Sequence, residues 1–90
     1  MRIAFKLTVT GMVHGVFFRA SMREVARQNG VNGWVRNVAD GSVEALVEGD
    51  EEAVFRVLEW ARHGPSSARV DSIRTEETPM RNLKGFIISG

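Results

Sequence analysis

The chain has 90 residues, with 12 Lys and Arg against 11 Asp and Glu, a formal net charge of +1 and no cysteine. A chain of that length makes one compact domain, burying roughly 60–65% of the surface its unfolded form would expose. The missing cysteines exclude disulfides, zinc-thiolate sites and any phosphatase built on a cysteine nucleophile, and the near-zero charge supplies no electrostatic footprint for nucleic acid.

Residues 3–9 alternate, with Ile3, Phe5, Leu7 and Val9 on one face and Ala4, Lys6 and Thr8 on the other, which predicts a half-buried strand. Gly11 to Arg19 follows as a glycine-punctuated connection. Phe18, Met22, Val25 and Ala26 then share a face at helical spacing, and Asn29-Gly30 predicts the stop of that helix. Ser21 and Glu24 have capping-box spacing, although the stripe already includes Phe18. Strands at 32–38 and 42–48 read as a hairpin across Asp40-Gly41, two residues that tolerate positive φ. A second helix is capped by Asp50, carries Glu51 and Glu52 at its positive end, and buries Val54, Val57, Leu58 and Ala61. Arg62 and His63 sit at its negative end, and Gly64-Pro65 stops it. Residues 70–75 predict a strand whose alternation needs a bulge near Asp71-Ser72, Pro79 breaks the chain, and 86–89 make a short last strand.

The order βαββαβ with a short extra C-terminal strand predicts an α+β ferredoxin-like sandwich, two helices on one face of a mainly antiparallel sheet. No apolar run reaches the length of a signal peptide or a membrane-spanning helix, and with the missing cysteines this predicts a cytoplasmic protein.

Two segments carry chemistry. In Gly15-Val16-Phe17-Phe18-Arg19, a glycine lets backbone N–H groups converge, a helix N-terminus adds donors and partial positive charge, and an arginine supplies a planar fork for phosphate oxygens. The Gly-Lys-Ser/Thr ending of a nucleotide P-loop is absent. Taken alone, the same residues also make an ordinary connection with a solvated arginine. In Gly33-Trp34-Val35-Arg36-Asn37, alternation places Trp34 and Arg36 on one face and Gly33, Val35 and Asn37 on the other. Alone, Asn37 reads equally as a turn-adjacent asparagine bonding its own backbone, and Trp34 as partial core. His14 lies in the candidate anion loop and reads equally as a group that bonds a phosphate or orients the loop and as a partly exposed loop residue, whereas His63 reads as a charge partner for a helix C-terminus. No metal-ligand spacing and no Ser-His-Asp arrangement emerges.

Gly11-Met12-Val13-His14-Gly15-Val16-Phe17-Phe18-Arg19 closely resembles the first signature of the acylphosphatase family, and Gly33-Trp34-Val35-Arg36-Asn37 resembles its second. The likeness continues through Val47-Glu48-Gly49 and Gly64 to Asp71 as far as Phe86, so it covers nearly the whole chain. The resemblance implies a single acylphosphatase-like domain over 1–90 that hydrolyses acyl phosphates to carboxylate and phosphate. It implies no metal, no cofactor and no covalent intermediate. By position Arg19 matches the phosphate-binding arginine and Asn37 the asparagine that holds the attacking water. The backbone amides of His14, Gly15, Val16, Phe17 and Phe18 match the phosphate cradle. Two residues depart from the pattern: His14 replaces a glutamine, with consequences for phosphate affinity or its pH dependence, and Met22 stands where a threonine is expected, at the cost of a hydrogen bond near the site.

The expected partner is a small-molecule acyl phosphate, with no nucleic acid and no membrane, acting on a monomer. Two rivals remain. One is a non-catalytic acyl- or carbamoyl-phosphate-binding module, like those fused to a hydrogenase maturation protein; the chain's free-standing length weighs against it. The other is an RNA-binding ferredoxin-like domain, for which Lys84-Gly85-Phe86 lacks a second stacking aromatic.

Overall fold

The computed structural model describes residues 1–89. Seven elements follow in order: β1 Arg2–Met12, α1 Phe18–Gln28, β2 Asn32–Asn37, β3 Val43–Asp50, α2 Glu51–Ala61, β4 Arg69–Thr78 and β5 Phe86–Ile88. The strands form one sheet in the order β4-β1-β3-β2-β5, with every pairing antiparallel except β2 with β5. The expected sandwich is therefore present, and β5 adds a parallel edge to it.

Alternation decides which sheet face is buried. Leu7, Val9, Val35, Val43, Ala45 and Val47 form one cluster with Phe18, Met22 and Ala26 of α1 and Val54, Val57 and Ala61 of α2. Both helices thus cover the same face. Met22 is fully buried within this cluster, so it contributes packing where a hydroxyl was anticipated near the site. The opposite face is more open and carries an ion-paired row in which Glu44 bridges Lys6 and Arg36. Trp34 lies there too, under the Arg36 guanidinium at 5.6 Å from the ring centroid, and so on the side away from the helices.

Several local expectations need correction. Ser21 and Glu24 form no capping box, because α1 begins at Phe18 and its capping position, Phe17, bonds nothing with its side chain. Asp50 occupies the capping position of α2, but its carboxylate makes no capping bond; among the end's donors, the Glu51 N–H goes to the Met1 carbonyl at 2.9 Å. The hairpin turn is one residue longer than an Asp-Gly pair. Gly41 N–H donates to the Val38 carbonyl, only Gly41 has positive φ, and Asp40 serves by accepting from the Ser42 N–H and hydroxyl. His63 leans on Glu59, 3.6 Å away, while the helix end is closed by the N–H groups of His63 and Gly64 donating to Trp60.

Other signals held. Asn29-Gly30 ends α1 with the paired bonds Gly30 N–H to Arg27 and Val31 N–H to Ala26, the Schellman pattern. The register shift between β1 and β4 leaves Asp71 as the extra residue, where the bulge was expected.

Candidate active site

The head of α1 is built against the ordinary preference of a helix. Its first turn contains no acidic residue, and Arg19 stands there, where the helix's own partial charge is already positive. A cation at that end costs about 0.3–1 kcal/mol. Arg19 is half-buried and pairs with no carboxylate among the described residues. Both the helix end and the guanidinium are therefore complementary to an anion, and the described residues supply none.

The loop in front of the helix turns twice through left-handed backbone, at Gly15 (φ 69°) and Phe17 (φ 64°). None of the N–H groups of Gly15, Val16, Phe17 and Phe18 donates to a backbone carbonyl of the described residues. Three long-range contacts hold this loop. The Ser67 hydroxyl donates to the Val16 carbonyl at 2.7 Å. Because a peptide is planar and trans, fixing that carbonyl on one side aims the Phe17 N–H to the other. Phe18, fully buried, packs its ring on Trp60, with centroids 5.3 Å apart, and against the Gly64 turn. Finally, His14 Nε2 lies 2.7 Å from the Ser42 carbonyl oxygen. A carbonyl only accepts, so Nε2 carries the proton and donates.

The His14 contact joins the two signatures. The Ser42 carbonyl also accepts the Val38 N–H, next to Asn37, and Asn37 itself pairs with Val43. Asn37 Oδ1 is buried and accepts no bond from any described residue. Buried acceptors are usually satisfied, so this oxygen stands out among the buried side-chain atoms of the described residues.

A pocket of about 300 Å³ opens at the head of α1, walled by Gly15, Phe17, Phe18, Arg19 and Ala20, with Val13 beneath and Ile88 of β5 beside them. Asn37 is not on that wall. Ile88 pairs with Val35, and Asn37 lies two residues, about 6.6 Å, farther along the same face of β2. The fold thus gathers Gly15, Phe17, Phe18 and Arg19 into one pocket and brings Asn37 to the same end of the sheet. The His14 side chain turns to Ser42 instead, and Val16 is partly packed on the core.

Gly33 explains why the second signature begins with glycine. A Cβ there would fall 1.8 Å from the Leu46 carbonyl oxygen and 3.3 Å from the Phe86 ring. Its absence lets β2 lie close against Leu46 of β3, while the Gly33 N–H donates to the Gly85 carbonyl where β5 begins beside it. Ser67 was missed by sequence reasoning; it lies 51 residues from its partner, and no local pattern marks it. Among the described residues, no group of three His, Asp or Glu side chains is arranged to hold a metal ion, and no helix is long and apolar enough to cross a membrane.

The acylphosphatase family model matches residues 5–88. The chain belongs to the acylphosphatase family. It is 59% identical over 69 residues to an acylphosphatase of Pyrobaculum aerophilum, covering 76% of this chain and 73% of that relative. It superposes on the Bacillus subtilis acylphosphatase with a TM-score of 0.95 at 31% identity, over 98% of this chain and 99% of that one. HypF from T. kodakarensis contains a similar region, with a TM-score of 0.85 and 31% identity, covering 98% of this chain but 12% of HypF. As an acylphosphatase the enzyme is a hydrolase whose substrates are small-molecule acyl phosphates.

Proposed function

We propose that Arg19 and the N–H groups of the 14–18 loop bind the phosphate of an acyl phosphate, and that Asn37 positions the attacking water. What carries the reading is an arginine in the first turn of a helix with no carboxylate partner among the described residues, behind a loop whose amide donors have no backbone acceptor among them. The open Asn37 Oδ1 supports the second half.

In this mechanism the water oxygen attacks phosphorus while the bond from phosphorus to the acyl oxygen breaks. The leaving group is a carboxylate with a pKa on the order of 4, so it departs without a general acid. The work left to the protein is to hold the phosphoryl group, spread its charge and align the water. Asn37 offers a donor and an acceptor and takes no proton, and a substrate phosphate oxygen accepts the proton from water. We read residues 1–90 as one acylphosphatase domain that works as a cytoplasmic monomer without nucleic acid; its net charge near zero supports the last point. The likeness to part of HypF keeps a second reading open, a phosphate-binding module serving a larger protein.

Hydrolysis of benzoyl phosphate in a chelator-containing buffer tests the proposal, with Asn37→Ala alongside. The wild type turns over, and Asn37→Ala loses about a hundredfold or more in kcat while inorganic phosphate still inhibits within about threefold. A collapse of phosphate inhibition in Asn37→Ala would make Asn37 a binding or structural residue. Folded wild type without turnover would favour the module.

A further inference from the structure

The pocket has a wall that phosphate chemistry does not use. Phe17 is 77% exposed, so core packing does not account for its side chain. Its backbone is left-handed, a conformation that glycine adopts freely and phenylalanine adopts under strain. At the other left-handed position of the loop, Gly15, the chain does use glycine, and a Cβ there would meet open space. A glycine at position 17 would give the same backbone with less strain and no ring in water. A strained, exposed aromatic beside a reaction centre calls for a functional reason.

The residue's place in the pocket wall suggests one. Phe17 and Arg19 line the same pocket, with Ile88, itself partly buried, beside them. Every acyl phosphate offers Arg19 the same phosphate, so those contacts cannot tell one substrate from another; only contacts to the acyl group can. Arg19 is the one charged residue of the wall, and the rest is apolar or backbone. We infer that Phe17, with Ile88, is a specificity-determining residue that receives the acyl group and favours acyl phosphates with an aromatic or extended apolar acyl part over those of acetyl size. This rests on Arg19 and the loop being the phosphate site. Ring-on-ring contact adds to apolar burial, which makes an aryl group the best-matched occupant.

Two variants isolate the ring: Phe17→Gly keeps the left-handed backbone, and Phe17→Leu keeps an apolar side chain without the ring. The readout is the ratio of kcat/KM for benzoyl phosphate to that for acetyl phosphate, so any change common to both substrates cancels. The ratio falls about three- to tenfold in Phe17→Gly and by less in Phe17→Leu. A ratio that is unchanged, or that rises, in both variants overturns the inference. Inhibition by inorganic phosphate separates the two levels of failure. If Arg19→Ala loses that inhibition while the Phe17 ratio stays flat, the cradle stands and the acyl wall falls. If phosphate inhibits Arg19→Ala as well as wild type, the cradle reading falls and takes this inference with it.

Discussion

The two helices each follow a strand and pack on the same sheet face, yet their N-termini are built in opposite electrostatic senses. At β3–α2 the strand runs straight into the helix through extended Asp50, Glu51 and Glu52 fill the first turn, and the Met1 carbonyl takes the Glu51 N–H. At β1–α1 a loop over 13–17 intervenes, no carboxylate occupies the first turn, an arginine stands there, and the loop donors are left open. The α2 junction answers its own partial charge with acids; the α1 junction has none to answer it among the described residues. A helix N-terminus is therefore not a site by virtue of its dipole. It becomes one when the chain withholds the acids that would ordinarily neutralise it.

Breaking that contrast at its strongest point means removing the charge. Arg19→Ala lowers kcat/KM for benzoyl phosphate by about a thousandfold or more, and inhibition by phosphate weakens with it, as steady-state kinetics would register. Making the first junction resemble the second is the next test. Ala20→Glu places a carboxylate in the exposed first turn of α1; thermal stability holds or rises slightly, while phosphate inhibition weakens about tenfold or more. The Ser67 contact is expected to matter less. Ser67→Ala frees the Val16 carbonyl and weakens phosphate binding by about 1 kcal/mol, roughly fivefold in the inhibition constant, with the urea midpoint nearly unmoved. The smallest effect concerns the hairpin beside Asn37. Hydrogen bonds from the Ser42 hydroxyl and then the Ser42 N–H hold the Asp40 carboxyl below its usual range. Its contribution to stability is thus present above the unfolded-state value and lost as pH falls through the lowered folded value. Asp40→Asn should lower Tm slightly near neutrality, where the ionised carboxylate contributes, and converge on the wild-type curve as pH falls towards about 2, so that the acid limb flattens.

Periodicity made the elements legible, because burial on one face imposes the spacing whatever the partner is. The stripe Phe18, Met22, Ala26 and the alternation of β1 and β3 needed no knowledge of the whole fold. The two signatures were legible for the same local reason, since a loop, a helix head and its arginine are contiguous. What escaped was long-range. His14 reaches Ser42 across 28 residues and Ser67 reaches Val16 across 51, and nothing near either residue in the chain specifies its partner. The position of Asn37 relative to the pocket also depends on β5, which pairs with β2 from 53 residues away, Gly33 opposite Phe86.

The segment that ends in β5 has a consequence beyond the pocket. Glu48, wholly buried, holds its approach by accepting the N–H groups of Arg81 and Leu83, and β5 then lies along β2. Without that strand, β2 would present the backbone of Trp34 and Val35 as a bare edge, the type of template on which stray strands add and fibres grow. A three-residue strand in its place offers little length to pair with. The other margin of the sheet is β4, rich in exposed charge at Arg69, Asp71, Arg74, Glu76 and Glu77. One buried side chain thus helps seat the short strand that covers the β2 edge.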